Sequence, residues 1–79
     1  MEVKIIGPMT KEAEKLMYNT AVAIKKLKAK ASFEKVCDVR KAFSYGIMAI
    51  PALVIDEQLI SAGTVLSVEE AMQLIRQVL

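Results

Sequence analysis

A chain of 79 residues has the size of one small domain, in which folding buries roughly 60% of the unfolded surface, and its 54% hydrophobic content excludes disorder. Its apolar runs fall short of the ~20 residues that a membrane-spanning helix needs, and Glu2 and Lys4 break the start of any signal peptide, so a cytoplasmic protein with no membrane partner is expected. One cysteine and no histidine leave out an intramolecular disulfide and the ligand sets of zinc, and a net charge of +2 over interleaved acids and bases sets up no field for nucleic acid, so no metal, cofactor or nucleic-acid partner is expected.

Residues 3–6 are rich in β-branched side chains and are stopped by Gly7 and Pro8, which predicts a strand. Thr10 then suits the N-cap of a helix in which Ala13, Leu16, Met17, Thr20, Ala21, Ile24 and Leu27 recur at helical spacing. Lys11, Glu12, Glu14 and Lys15 turn outward. Lys25, Lys26, Lys28 and Lys30 crowd the end of this helix. A phosphate-binding patch is one reading of that cluster, but no aromatic residue interleaves it, and lysines in a last turn complement the helix dipole. A solvated face is the stronger reading.

Ser32–Val36 predicts a second strand, and the intervening helix is long enough for a right-handed parallel crossover. Asp38 is placed to cap a short helix running through Phe43 and Tyr45 to a stop at Gly46. Within the apolar stretch 46–55 the one breaker is Pro51. Proline donates nothing to a sheet ladder and biases its predecessor toward extended geometry, so Pro51 is placed at the first position of the third strand. Residues 56–58 separate Leu53, Val54 and Ile55 from Leu59 and Ile60 at hairpin spacing. Ser67 and Glu70 form a capping box, after which Val68, Ala71, Met72, Ile75, Val78 and Leu79 follow the i, i+3, i+4, i+7 pattern of a last helix. The order β, α, β, α, β, β, α gives an α/β arrangement and leaves the strand order open.

Tyr45-Gly46-Ile47 ahead of Pro51-Ala52-Leu53-Val54-Ile55, with Ile5-Ile6-Gly7, Glu14-Lys15-Leu16 and Ser61-Ala62-Gly63, resembles the frame of the small redox-active disulfide proteins, a glutaredoxin-like family of the thioredoxin superfamily. The likeness spans nearly the whole chain. It implies a thioredoxin-like fold with a mixed four-stranded sheet flanked by helices, one domain over residues 1–79, and a cis peptide bond before Pro51.

In that family a Cys-x-x-Cys opens the first helix. The frame puts Thr10 at the first cysteine position and Ala13 at the second, with Lys11 and Glu12 between them. Dithiol exchange needs a thiolate favoured at the first position and a second thiol to release the mixed disulfide. A threonine hydroxyl supplies neither, so no dithiol oxidoreductase activity is expected here. Pro8 and Met9 also depart from the family's glycine-rich turn, which points to a natural loss rather than a two-site edit.

The resemblance further implies that Met9, Thr10, Met48, Ile50 and Pro51 lie together as an apolar face, and that the backbone at Ile50 holds an extended segment by β-augmentation. The expected function is thus a redox-inactive module that binds a protein segment or a second copy of itself. Methionines suit an adaptable contact surface; the competing reading has Met9 and Met48 packing on each other and on the loop after Gly63. The alternative function is a monothiol oxidoreductase or redox sensor using Cys37, at the end of the second strand. Against it, the adjacent Asp38 carboxylate disfavours a thiolate, and an unreactive side chain is the simpler reading.

Overall fold

A computed structural model of the chain describes residues 1–38 and 40–79. Seven elements follow in order: β1 (Glu2–Ile6), α1 (Lys11–Lys26), β2 (Ser32–Val36), α2 (Arg40–Ser44), β3 (Ala52–Ile55), β4 (Gln58–Ala62) and α3 (Val68–Arg76). The strands form one mixed sheet in the order β2-β1-β3-β4, with β1 parallel to β2 and antiparallel to β3, and β3 antiparallel to β4. The expected class and element order therefore hold, and the parallel pair is joined through α1.

Strand alternation sorts the apolar side chains onto two faces. Val3 and Ile5 of β1 and Leu53 and Ile55 of β3 pack with Leu16, Ala23 and Ile24 of α1 and Ala71 and Ile75 of α3. Ile6, Val36, Ala52 and Val54 point the other way, toward Ala42 and Ile47. The central strand β3 is buried at all four positions because it is covered on both faces. Among the described residues, no helix is long and apolar enough to cross a membrane.

Caps set the helix ends where the sequence places them. The Thr10 side chain accepts a hydrogen bond from the Ala13 N–H at 3.2 Å, and Ser67 and Glu70 complete a reciprocal capping box on α3. Lys25 and Lys26 stand in the last turn of α1, where cations complement the dipole. Asp38 accepts from the Arg40 N–H at 3.0 Å, although residue 39, on which the start of this predicted helix falls, lies outside the described residues. At the other end of α2, Gly46 has φ +72°, and the N–H groups of Gly46 and Ile47 donate to the carbonyls of Phe43 and Ala42. That pair is a Schellman closure, and it requires a left-handed residue at Gly46.

Three boundaries differ from the expectation. β3 begins at Ala52, so Pro51 precedes the strand; its carbonyl is already paired with the Gly63 N–H, but the proline ring offers no donor to open the ladder. α2 ends at Ser44, one residue before Tyr45, because the Schellman closure turns the chain there. Leu79 is 65% exposed, since α3 ends at Arg76 and the helical spacing no longer governs where residue 79 points. The hairpin is tight: Asp56 and Glu57 both have positive φ, as a two-residue type I′ turn demands. Beyond it, Leu53 opposes Ser61 while Val54 opposes Leu59, which leaves Ile60 as an extra residue in a bulge on the edge strand β4.

Candidate functional site

Thr10 and Ala13 occupy the N-cap and the first turn of α1. Of the first-turn amides left without intrahelical partners, the Ala13 N–H is taken by the Thr10 hydroxyl. Ala13 itself is 3% exposed, with its methyl group in the main core. At this helix start the side-chain chemistry is spent on capping and packing, and no thiol is present at either position.

The opposite wall of the site is the loop before β3. The Ile50–Pro51 peptide bond is cis. The loop is fixed from two sides: the Gly63 N–H donates to the Pro51 carbonyl at 2.9 Å, and Gly63 itself comes so close that a Cβ there would stand 2.7 Å from the Ala49 Cβ. Gly63 has φ +76°, so both the close approach and the backbone conformation call for glycine. On the other side, a Cβ on Gly7 would meet the Ile50 Cβ and the Pro51 Cα at 3.5 Å, so the end of β1 abuts the cis bond.

Two hollows result, with Ile50 shared between them. The first, about 160 Å³, is lined by Pro8, Thr10, Glu12, Ile50 and Pro51. The second, about 250 Å³, is lined by Ala42, Phe43, Ile47, Met48, Ala49 and Ile50. Met48 is 94% exposed, Phe43 76% and Ile50 41%, so the rim of the second hollow is apolar and open to solvent. No hydrogen bond among the described residues takes up the Ile50 N–H or C=O.

The structure brings some of the residues singled out from the sequence together and separates others. Thr10, Ile50 and Pro51 do share a hollow, together with Pro8. Met9 turns away toward Lys35, whose Nζ lies 3.4 Å from its sulfur, and Met48 belongs to the second hollow, so the two methionines line no common cavity. The residue that packs against Gly63 is Ala49. Sequence reasoning missed Phe43, whose apolar character reads as helix core, and Glu12, which reads as an ordinary outward charge. The brevity of α2 is the signal that exposes Phe43, because five residues give a helix only one buried position, Ala42.

The ion pairs sit around this face rather than in it. Asp38 forms a two-pronged pair with the Arg40 guanidinium, which holds its carboxyl below the usual range. Cys37 is exposed beside that pair, at the end of β2. Farther off, Lys4 donates to Glu57 at 2.8 Å and to the Tyr45 hydroxyl at 3.1 Å, while Tyr45 donates to the second Glu57 oxygen at 2.8 Å. The hydrogen bond to Glu57 holds the Lys4 ammonium above its ordinary range and the same contact holds the Glu57 carboxyl below its own. Among the described residues no cluster of His, Cys, Asp and Glu is suited to a metal ion.

A cis-proline loop facing the start of the first helix, beneath a β2-β1-β3-β4 sheet, is the geometry against which the comparisons with known proteins stand. A family model described as a thioredoxin domain matches residues 1–76. A thioredoxin of Methanothermobacter thermautotrophicus is 33% identical over 70 residues, which cover 89% of this chain and 91% of that protein. No solved structure matches the chain. With the family model spanning nearly all of its length and a thioredoxin aligned over the same frame, the chain belongs to the thioredoxin domain family.

Proposed function

We propose that this chain is a thioredoxin-like binding module without dithiol chemistry, which holds an extended protein segment, or a second copy of itself, against the face built by Thr10, Ile50 and Pro51. The observation that carries this is the Ile50 backbone. Its N–H and C=O have no partner among the described residues, next to a cis-proline and between two hollows. An extended chain laid along Ile50 gains ladder hydrogen bonds and buries apolar surface together, which is the logic of strand addition. A module of this kind works in the cytoplasm, where its lone thiol stays reduced.

Replacing Met48 and Ile50 together with Lys is expected to abolish association at this face while leaving the fold intact, since both residues are exposed. Sedimentation for self-association and peptide-library binding for segments read the effect. If both are unchanged in the double variant, the face is not the binding surface.

A monothiol reading is kept by the exposure of Cys37. The chain holds no second cysteine to resolve a mixed disulfide, so turnover requires an outside thiol such as glutathione. Exchange with glutathione and a disulfide-bonded protein, compared between the native chain and Cys37→Ser, separates the readings: turnover lost in the variant assigns the activity to Cys37.

A further inference from the structure

The chain has five methionines, and the fold grades them by access. Met1, Met17 and Met72 are partly buried against the main core, which shields their side chains. Met9 is 62% exposed, but its sulfur accepts a hydrogen bond from the Lys35 ammonium at 3.4 Å. Met48 is 94% exposed, and among the described residues no donor reaches its sulfur. It belongs to neither core cluster and stands on the rim of the hollow that Phe43 and Ile47 also line. Full access and an unengaged thioether thus meet at this one position.

We propose that Met48 is a peroxide-modification site, and that its oxidation turns the rim of this hollow from apolar to polar. In the step a lone pair of the Met48 sulfur attacks one oxygen of a hydroperoxide. The S–O bond forms as the O–O bond breaks, the bonding pair leaves on the second oxygen, and the proton of the attacked oxygen moves to it, giving water or an alcohol. The thioether is oxidised by two electrons and the peroxide is reduced by two. A flexible apolar side chain becomes a polar, chiral sulfoxide. At Met9 the Lys35 ammonium draws on the sulfur electrons that the attack needs, and at Met48 nothing competes for them. Because Met48 packs in neither core cluster, its sulfoxide leaves the fold standing, whereas oxidation of Met17 or Met72 puts a polar group against the core. Any association through the Pro51 face then becomes sensitive to peroxide, a consequence that rests on the reading above.

The test is limiting hydrogen peroxide on Cys37→Ser, which removes the competing thiol, followed over time by peptide-mapping mass spectrometry. Met48 should gain its oxygen several-fold faster than Met9, with the three core-packed methionines last and the urea midpoint unchanged while Met48 alone is oxidised. Adding Lys35→Leu should speed Met9 and leave the Met48 rate where it was. On a phenyl hydrophobic-interaction column the singly oxidised chain should elute earlier, and the same dose should not shift a chain that also carries Met48→Leu. Met9 oxidised with or before Met48 would make the Lys35 ammonium an acid for the departing oxygen and overturn the assignment. Oxidation of Met48 without loss of retention overturns the change of rim. If retention falls but the untreated chain shows neither self-association nor peptide binding, the Pro51 reading fails and the Met48 site stands.

Discussion

The two faces of the sheet are built to different thicknesses. On one, α1 and α3 together cover Val3, Ile5, Leu53 and Ile55, and eleven buried residues among those described form a continuous core. On the other, among the described residues, Ile6, Val36, Ala52 and Val54 pack with Ala42 of the five-residue α2 and with Ile47 after it, flanked by the partly buried Tyr45 and Ala62. Beyond the reach of α2, the thin face is finished by the Lys4–Tyr45–Glu57 network, and Phe43, Met48 and Leu59 are left exposed. The thick face holds the fold, and the thin face with its adjoining loop leaves apolar side chains open to solvent. Apolar area that stays in contact with water adds nothing to stability, so its persistence in a small domain is the physical basis of the binding reading.

The sharpest way to break that comparison is to cut one large side chain from each face. Ile75 on α3 is fully buried, and Ile75→Ala is expected to cost about 2–5 kcal/mol, near the top of the range because α1 and the sheet hold the cavity open. Ile47→Ala on the thin face belongs near the bottom, because Phe43 and Met48 line the hollow beside it and are free to collapse inward. Urea unfolding of the two variants checks the ranking. Equal losses would mean that the thin face is packed as rigidly as the thick one.

Glycines give the next contrast. Gly63→Ala combines a left-handed φ with a Cβ 2.7 Å from Ala49, and the neighbour it strikes is a short side chain that cannot swing away. Gly46→Ala meets the same kind of φ, +72°, with nothing within 4 Å. The Gly46 variant is expected to lose about 1 kcal/mol from backbone strain alone, and the Gly63 variant distinctly more. Gly63→Ala should also displace the Pro51 loop, seen as amide shifts at Ala49 and Ile50 that Gly46→Ala does not produce.

Much of the thick face was legible in the sequence, because helical spacing in α1 and α3 and the apolar run of β3 each name the buried side directly. The cis bond came from the likeness around Tyr45-Gly46-Ile47 and Pro51, since no periodicity encodes peptide geometry. The strand order was not legible: β1 and β3 are both short apolar runs and β2 is a polar one, and which strand lies beside which depends on tertiary pairing. The site was read only in outline. Periodicity says which way Phe43 and Met48 point relative to their neighbours but not whether anything covers them, and coverage failed here because α2 is too short. Met9 was misplaced for a similar reason, because its partner Lys35 comes from β2, far away in sequence.

At the start of α1, where Thr10 and Ala13 stand, the expected effect is smaller. Thr10→Ala leaves the Ala13 N–H without its side-chain acceptor and is expected to cost about 1 kcal/mol, while Thr10→Ser, which restores the hydroxyl, should recover most of it. Because Thr10 also lines the first hollow, binding measured on the serine variant separates the cap from the contact surface. Stability rescued without rescue of binding would show that the threonine methyl group touches the ligand.

The smallest effect expected is electrostatic and confined to the thin face. Glu57 is held below the usual carboxylate range first by Lys4 and then by the Tyr45 hydroxyl. A carboxyl with a depressed folded pKa stabilises the fold fully above its unfolded value, roughly 4.3, and that contribution disappears as pH falls through the folded pKa. Lys4 is shifted the opposite way, so its share is complete below roughly 10.4 and is lost only as pH rises beyond the ordinary lysine range. Between those limits the network is intact at every pH. Carboxyl NMR titration of Glu57 should therefore move up toward its ordinary value in Lys4→Met and by less in Tyr45→Phe, while the stability gap between native chain and Lys4→Met narrows on acidification. The Glu57 side chain is 59% exposed, so water screens the gap to a small one. An unmoved Glu57 titration in Lys4→Met would mean that the exposed half of the thin face is held by packing of the lysine stem and the Tyr45 ring, which lies 5.8 Å from the ammonium, rather than by charge.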